Sequence, residues 1–356
     1  MKNWLKRVLR RVLGPRRGVV ICGAYGMENA GDDAVLAAIV ASLRRLDRDM
    51  PITVVARHGK RTGRRAGISG VGRLNVPGWL LAMGRARLFI LGGGSLLQDV
   101  TSRRSLWYYL GMLRAARTAG CRTMLYAAGA GPIGREKERQ RAAQYLDRFA
   151  EVITARDQLS LDTLAEWGVT APRMLLGADP ALSLRTPAGE RERKAGIVLR
   201  AWPGFWTHVP DFAQAARYVW ERYRLPPVFI CMAPEDRAAV RSVCAELDGV
   251  PYTVSADSRR VGRMSMVLSM RLHALVFALR DGVPAGGVSY DPKVDAFCGE
   301  AGLPMAALED VTAEDLCELA DWVMHMGGEH LSAAQRTLRA REQTNLSAAA
   351  QLLAED

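Results

Sequence analysis

Short apolar runs alternate with longer amphipathic stretches from residue 18 onward. In the first half of the chain the apolar runs cover residues 18–24, 52–57, 87–94, 122–131 and 151–156. Each is short enough for a buried strand, and a helix is expected between about residues 32 and 46. Alternation of this kind predicts α/β domains with parallel sheets, in which ligands bind at the carboxyl ends of the strands.

A second series of apolar runs begins after a polar, turn-rich stretch at residues 184–194. Its members cover residues 195–200, 226–232 and 284–290, and C-terminal helices are expected at about 312–326 and 332–354. The composition change favours a domain boundary. We therefore predict a basic N-terminal segment at 1–17, one Rossmann-like domain at 18–186, another at 195–330, and a bracing helix at 331–356.

The composition supports two packed domains without a membrane span. The 356 residues are 49% hydrophobic, and every apolar run is interrupted well before the roughly 20 residues that a transmembrane helix needs. Six cysteines are scattered with no CxxC spacing. This usage indicates reduced core thiols in a cytoplasmic protein, and no constellation of metal ligands is visible.

Residues 1–17 carry seven Lys or Arg and no acidic residue, and their apolar positions share one helical face. A basic amphipathic helix suits the surface of an anionic membrane, so the segment predicts peripheral membrane contact. The alternative is a solvated extension on the domain surface. The net charge of +12 also suits nucleic acid, but no recognition motif accompanies it, and no nucleic-acid partner is predicted.

The densest candidate chemistry lies between residues 269 and 293. Arg271, His273 and Lys293 surround an otherwise apolar helix and strand. Two cations and one titratable imidazole suit a small dianion that carries both carboxylate and phosphate. The helix is expected to begin near Arg271, with these side chains on its first turn. The alternative is structural: Arg271 forms a salt bridge and His273 is a core histidine.

The loop at residues 23–34 links the first strand to the first helix. Its glycines do not match GxGxxG, and no acidic residue is placed for a ribose, so a Rossmann cofactor is not predicted. Asp32 and Asp33 lie at the expected helix start, where carboxylates commonly cap amides. Asp32 could equally serve a hydroxyl-bearing acceptor.

Two further strand ends in the first half offer binding groups. Residues 91–99 follow three glycines with Ser95 and Gln98 and could cradle phosphate or permit tight packing. No Lys-Ser/Thr follows, which excludes a Walker loop. Arg156 directly follows a buried strand, where a guanidinium can grip an anion or bridge to Asp157.

Together these motifs resemble the polysaccharide pyruvyltransferases, particularly the CsaB type, from about residue 18 to residue 304. The matching landmarks, in order, are YGMENAGDDA, LFILGGGSLLQD, AAGAGPIG, TARD, GADPAL, VLRAW and SMRLHALVFAL with SYDPKVDAF. The resemblance implies two Rossmann-like domains facing across a cleft, as in GT-B glycosyltransferases. It also implies phosphoenolpyruvate as donor, no further cofactor, and a saccharide acceptor, often a lipid-linked cell-wall or exopolysaccharide precursor. The product would be a pyruvate ketal.

Within that resemblance, residues 18–186 would form the acceptor side and 195–330 the donor side of the cleft. His273 and Asp32 are the candidate catalytic acid and base, with their roles open. The candidate substrate-binding residues are Arg156, Arg271, Lys293, Asn29, Gly93, Gly94, Ser95 and Gln98. No metal is expected. The first loop reads Asn-Ala-Gly-Asp-Asp at 29–33 where the family more often has Asn-Thr-Gly-Asp-Glu, a departure that bears on the acceptor more than on the donor.

Two other functional classes remain open from the sequence. One is a GT-B glycosyltransferase that uses a nucleotide sugar, although the usual ribose-gripping Glu is not obvious. The other is a non-catalytic membrane-surface protein that binds through residues 1–17. The expected location is the cytoplasm, at the inner face of the membrane.

Overall fold

The computed structural model describes residues 14–100, 102–185 and 189–355. Most of the predicted N-terminal helix, residues 1–13, therefore lies outside the described residues. Two compact units are present. Among the described residues the first comprises 14–27, 35–180 and 341–355, and the second comprises Glu28–Ala34 and Ala181–Ala340.

The first unit is built on a seven-stranded parallel sheet. Its strands in chain order are β1 (Val19–Cys22), β2 (Ile52–Ala56), β3 (Ser69–Gly72), β4 (Leu88–Leu97), β5 (Arg122–Ala130), β6 (Val152–Ala155) and β7 (Arg173–Leu176). Across the sheet they lie in the order β3-β2-β1-β4-β5-β6-β7. All five predicted strands are present. The sequence missed β3 and β7 because both are partly exposed edge strands, without the apolar run that marks a buried strand.

Helices cover both faces of this sheet. They are α1 (Ala30–Leu46), α2 (Gly59–Ala66), α3 (Val76–Arg85), α4 (Arg103–Ala119), α5 (Glu136–Phe149) and α6 (Gln158–Glu166). Alternate residues of β1 point to opposite faces, so Val19 and Ile21 join the core that contains α1, while Val20 and Cys22 join the core that contains α4. The sheet is consequently buried between two apolar layers.

The second unit repeats this plan with six parallel strands. They are β8 (Ala195–Val198), β9 (Pro227–Ile230), β10 (Thr253–Ser255), β11 (Met266–Ser269), β12 (Ala285–Ser289) and β13 (Met305–Ala307), in the spatial order β10-β9-β8-β11-β12-β13. Its helices are α7 (Val209–Tyr223), α8 (Asp236–Cys244), α9 (Leu272–Arg280), α10 (Pro292–Ala301) and α11 (Ala313–Met324), and α12 (Gly328–Ala354) follows. Short 3₁₀ helices occur at Pro180–Ser183, Pro203–His208 and Ser258–Arg263.

Strand order reverses once within each sheet. In the first unit the chain continues from β1 to one edge and returns at β4; in the second it does so from β8 to β11. At such a switch point the loops after the two central strands diverge and leave a crevice at their carboxyl ends, where open α/β sheets bind ligands. Each unit thus has one position that favours a binding site.

The units divide the chain differently from the predicted boundaries in three places, the first being that the second unit begins at Ala181 rather than after residue 186. Residues 28–34 group with the second unit, where the backbone N–H of Ala30 donates to the carbonyl of Met232 at 2.9 Å. The predicted helix at 332–354 begins earlier, at Gly328, and its residues from Arg341 onward group with the first unit. The reason is packing, since Ala348, Ala349 and Leu352 are buried in the same core as β1.

Within the described ranges, no helix has both the length and the apolar character needed to cross a bilayer. The six cysteines, all among the described residues, are free thiols. Burial raises the pKa of several of them, including Cys244 and Cys121, to about 11, so they remain protonated near neutral pH.

The end of α12 should be part of the first unit's stabilising core. Replacing Leu352, which is 3% exposed, by Ala should lower the free energy of unfolding by about 2–4 kcal/mol because a buried cavity forms. Differential scanning calorimetry of the full chain would measure this. The exposed Ser347 of the same helix provides the control, since Ser347→Ala should change stability little. Equal, small effects of both substitutions would contradict the packing described.

Candidate functional site

The switch point of the second unit collects most of the charged candidates. Strands β9, β8, β11 and β12 are consecutive neighbours in the sheet, and the residues that follow them lie at one edge. Because parallel strands all end on the same side, polar residues after each strand converge there. The second-unit site, as we name it, consists of Asp32, Arg200, Glu235, Asp236, Arg271, His273, Tyr290 and Lys293.

Arg271 follows β11 and is buried, 7% exposed. Its Nε lies 3.1 Å from Oδ1 of Asp236, its Nη2 also bonds that oxygen, and Nη2 lies 3.0 Å from Oε1 of Glu235. Burial opposes the positive charge, but the two carboxylates more than offset it and raise the pKa of Arg271 above its usual value. The salt-bridge alternative for Arg271 is therefore realised in the structure.

Asp236 anchors this ion pair to the backbone. Its side chain is fully buried, and Oδ2 accepts hydrogen bonds from the backbone N–H groups of Met232 at 2.9 Å and Ala233 at 3.0 Å. The backbone N–H of Arg271 in turn donates to Oγ of Ser269 at 2.9 Å. Arg271 is thus held at its backbone by Ser269 and at its guanidinium by the two acids. Its N–H donors therefore have a fixed orientation.

His273 lies on the first turn of α9, as predicted, and packs against the first turn of α1. A Cβ atom added at Gly31 would lie only 2.1 Å from Nδ1 and 2.4 Å from Cγ of His273. No side chain larger than hydrogen fits there while the imidazole keeps its position. This contact brings Asp32, the next residue, to the same site.

The start of α1 differs from the sequence prediction. The helix begins at Ala30, and Oδ1 of Asn29 accepts from the backbone N–H groups of Gly31 at 2.9 Å and Asp32 at 3.4 Å. Asn29, predicted as a substrate-binding residue, is therefore the N-cap. The cap that the structure shows is Asn29 because the helix begins two residues earlier than the sequence predicts.

Asp32 has an unusual ionisation for a carboxylic acid. Burial raises its pKa to about 6, and the nearby charges of His273, Lys293 and Arg271 only partly counteract the desolvation, while Asp33 adds to it. At neutral pH such a group exchanges its proton readily. A carboxyl poised near the working pH is suited to general acid or base catalysis.

Lys293 reaches the site from the start of α10. The Asp291-Pro292 sequence forms the helix start, with Oδ1 of Asp291 accepting from the Lys293 backbone N–H at 3.2 Å. The ammonium Nζ lies 2.7 Å from Oδ2 of the same Asp291 and 5.8 Å from the centre of the Tyr290 ring. Both side chains of this pair are partly exposed, so the cation remains accessible.

The sequence pattern did not predict four members of the second-unit site. Arg200 stacks its guanidinium 5.2 Å from the Trp202 ring and 5.0 Å from the Tyr290 ring, and bonds the Tyr290 hydroxyl. The other three are Tyr290 and the two acids that bond Arg271, Glu235 and Asp236. Arg200 ends a predicted strand just as Arg156 does, so the same rule would have found it. The acidic pair at 235–236 lies three and four residues beyond the predicted strand end at 232, too far for that rule.

The remaining candidates lie in the first unit. Arg156 is buried, and its Nε lies 3.1 Å from Oδ2 of Asp157, which caps α6. A Cβ at Gly129 would be 2.9 Å from Nη2 of Arg156 and 3.1 Å from Oγ of Ser95. The structure thus brings Arg156 and Ser95 together over one glycine, and it also forms the predicted alternative bridge to Asp157.

The glycines of residues 92–94 do not form a loop. Strand β4 continues through them to Leu97, with a register shift against β5 after Gly94. Gly93 has φ +58°, and a Cβ there would lie 2.0 Å from Cγ1 of Val35, so tight packing accounts for its identity. Gln98 lies beside Gly131: a Cβ atom added at Gly131 would be 3.0 Å from the Cβ of Gln98.

Among the residues that the structure describes, no three His, Cys, Asp or Glu side chains form a group that could hold a metal ion. The second-unit site instead gathers three fixed cations, Arg200, Arg271 and Lys293, beside the carboxyl of Asp32 and one imidazole, with Glu235 and Asp236 paired to Arg271. This combination can bind a small multiply charged anion and move a proton within the same site.

Known proteins resemble this chain in family and in fold. Residues 29–292 match the family profile described as polysaccharide pyruvyl transferase. Among curated protein sequences, none matches the chain significantly.

Solved structures share the fold at low identity. Anabaena Alr3699/HepE, crystallised with UDP-glucose, has a TM-score of 0.63 at 13% identity over 95% of this chain and 99% of its own. Neisseria meningitidis UDP-GlcNAc 2-epimerase bound to UDP-GlcNAc has a TM-score of 0.63 at 8% identity, over 95% of this chain and 99% of its own. A Listeria monocytogenes protein described as a candidate UDP-N-acetylglucosamine 2-epimerase has a TM-score of 0.66 at 12% identity, over 93% of this chain and 94% of its own. These neighbours confirm the predicted GT-B-like architecture.

The contact between Gly31 and His273 can be tested directly. Gly31→Ala should push the imidazole away from α1, because a Cβ cannot occupy 2.1 Å from Nδ1. The ring proton resonances of His273 in an NMR spectrum should shift. Gly111→Ala, also within a helix but with open space around it, is the matched control. Unchanged His273 resonances in Gly31→Ala would mean that the ring does not lie on this glycine.

The raised pKa of Asp32 predicts a pH-dependent stability difference. The unfolded carboxyl titrates near pH 4 and the folded one near 6, so the folded state binds more protons between these values and loses stability as the pH rises. Asp32→Asn removes this loss. Relative to wild type, the variant should gain on the order of 2 kcal/mol between pH 4 and pH 7.

Urea unfolding across this range would measure the gain. Asp248→Asn, at an exposed position, is the matched control for removal of a carboxylate. A pH-independent difference for Asp32→Asn would contradict the raised pKa of Asp32.

Proposed function

Because the chain belongs to the polysaccharide pyruvyl transferase family, we propose that it moves the pyruvyl group of phosphoenolpyruvate onto two hydroxyls of a saccharide. The product is a pyruvate ketal, and phosphate is released. The acceptor we propose is a precursor of cell-wall or extracellular polysaccharide, carried on a lipid. The observation that carries the proposal is the grouping of Asp32 with His273, Lys293 and Arg271.

The donor's charges match the second-unit site. Phosphoenolpyruvate carries a carboxylate and a phosphate on one short enol, and both need cationic partners when they leave water. Arg271 and Lys293 supply fixed charge, and Arg200 lies at the end of the neighbouring strand β8. Held in place by Asp236 and Glu235, the Arg271 guanidinium can meet the donor without reorganising, which favours stabilisation of charge on the departing phosphate.

The chemistry needs one proton to reach carbon and two hydroxyls to lose theirs. Protonation of the donor methylene gives a methyl group and an electron-poor central carbon, and one sugar hydroxyl attacks that carbon and loses its proton. The carbon–oxygen bond to phosphate then breaks, and the second hydroxyl closes the ketal. Of the two hydroxyl protons, one replaces the proton given to carbon and the other leaves with phosphate.

We assign these proton transfers to Asp32 and His273. A carboxyl with pKa about 6 is both protonated often enough to act as an acid and acidic enough to give its proton up, so Asp32 suits protonation of the methylene carbon. His273, against the first turn of α1, then suits removal of the hydroxyl proton. Each group would contribute roughly 10²–10⁴-fold to the rate.

Further proposed substrate-binding residues lie in the first unit. Arg156 and Ser95 together offer a cation and a hydroxyl for a polar substrate group, Gly93 and Gly94 lie in the same strand as Ser95, and Gln98 follows that strand. We further propose that no other cofactor is required. The reaction is placed in the cytoplasm, at the inner face of the membrane, where the donor and a lipid-linked acceptor meet.

The first test is binding of phosphoenolpyruvate to the full chain. Phosphoenolpyruvate should raise the melting temperature, because a ligand that binds only the folded state at 100 times its Kd adds about 2.7 kcal/mol. Lys293→Met should weaken binding on the order of 10-fold or more, since a charge-assisted contact is lost. Isothermal titration calorimetry would give both dissociation constants.

Lys293 is a better probe than Arg271. Removing Arg271 would strand the buried carboxylate of Asp236, and loss of folding would then be confused with loss of binding. Lys137→Met, at an exposed position of the first unit, is the matched control and should bind the donor as wild type does. Stabilisation by a UDP- or GDP-sugar without any effect of phosphoenolpyruvate would reject the proposal in favour of a glycosyltransferase.

A further inference from the structure

A long stretch of the first unit contains no acidic residue. Between Asp49 and Asp99 there is no Asp or Glu, while eight Lys or Arg occur. Most of these cations are exposed on α2 and on the loops beside it, at Arg57, Lys60, Arg61, Arg64 and Arg65. A field of one sign and this extent attracts anions well beyond contact distance.

Helix α3, in the same stretch, is apolar on both its faces. Met83 is buried and Trp79 and Ala82 pack on the core. The opposite face should be polar if it met only water. Instead Leu80 and Leu81, 44% and 46% exposed, lie on the side away from the core; Val76 at the helix start is 47% exposed and Leu74 just before the helix is 87% exposed. Adjacent exposed aliphatic side chains of this kind mark an interaction surface.

The basic and apolar features adjoin along the edge strand β3. Helix α2 lies directly on this strand because Gly59 and Gly70 approach so closely that a Cβ at Gly70 would lie 1.9 Å from the Gly59 carbonyl oxygen. The backbone N–H of Arg73 donates to the carbonyl of Ala56 at 2.9 Å. Arg73 and Leu74 therefore lie beside Arg57 and the start of α2.

The N-terminal basic segment joins the protein at this same place. The backbone N–H of Arg17 donates to the carbonyl of Arg85, the last residue of α3, at 2.8 Å. Arg17, the last residue of the segment for which the sequence predicts membrane contact, is thus bonded to the end of the helix that carries Leu80 and Leu81.

We propose that this edge of the first unit is a second, built-in membrane-docking surface that inserts aliphatic side chains among anionic lipid headgroups. The docking edge, as we name it, comprises Arg57, Lys60, Arg61, Arg64, Arg73, Leu74, Val76, Leu80 and Leu81. An anionic membrane can interact with both kinds of side chain, because its headgroups attract the cations and its acyl boundary accepts the leucines. Nucleic acid would interact only with the cations.

Vesicle flotation of the full chain tests the proposal and does not depend on activity. Vesicles of phosphatidylglycerol and phosphatidylcholine should carry the protein upward, whereas pure phosphatidylcholine should carry much less. The double variant Leu80→Ser/Leu81→Ser should bind about 10-fold more weakly, because two aliphatic groups no longer enter the interface. Arg61→Gln/Arg64→Gln should weaken binding similarly and should reduce its dependence on salt.

The matched control for the leucine variant lies in the second unit. Trp322, 71% exposed, is an exposed apolar residue away from the docking edge, and Trp322→Ser should float as wild type does. Melting temperatures should show that each variant is folded. Unchanged flotation of the leucine variant would overturn the proposal and leave residues 1–17 as the membrane-binding element. Loss in the arginine variant alone, with tight binding to duplex DNA, would instead identify a nucleic-acid surface.

Discussion

The buried ion pair between Arg271 and Asp236 is the contact on which the arrangement of the second-unit site depends. Asp236 follows β9 and Arg271 follows β11, and β8 lies between these strands in the sheet. The pair therefore ties two loops across a third strand end. Leaving either partner buried alone typically costs about 3–5 kcal/mol, so this edge of the sheet has one arrangement.

The same network extends to the segment that carries Asp32. Asp236 accepts from the backbone of Met232, and the carbonyl of Met232 accepts from Ala30. A backbone hydrogen bond thus docks the first turn of α1. Because Asn29 serves as the cap, the carboxyl of Asp32 remains available for chemistry, and its desolvation follows from the docking.

The structural and functional interpretations of Arg271 are compatible. A guanidinium has five N–H donors, and bonds from Nε and Nη2 to carboxylates fix its plane without consuming every donor. Buried, rigid cations stabilise developing negative charge better than mobile ones, because they are already oriented when the charge appears. A salt bridge that looks purely structural is therefore what a donor-binding arginine requires.

The sequence by itself determined the architecture and the family. Apolar runs located every strand that is buried on both faces except β11, whose four residues precede the charged stretch around Arg271, and the ordered motifs pointed to the family that residues 29–292 match. Edge strands such as β3 and β10 escaped because a half-exposed strand has no continuous apolar run. Arg156 was found because a charge directly after a buried apolar run is visible in the sequence, and Arg271 because it lies with His273 at the start of an otherwise apolar helix.

Only the tertiary structure decided which of these groups meet. Arg271 and Asp236 are 35 residues apart, and local pattern carries no information about the strand order that makes their loops neighbours. Nor could the sequence assign residues 28–34 to the second unit or give Asp32 its raised pKa, since both follow from what packs around that turn. Patterning along a chain fixes which elements form, whereas the environment of a side chain exists only after distant elements have packed.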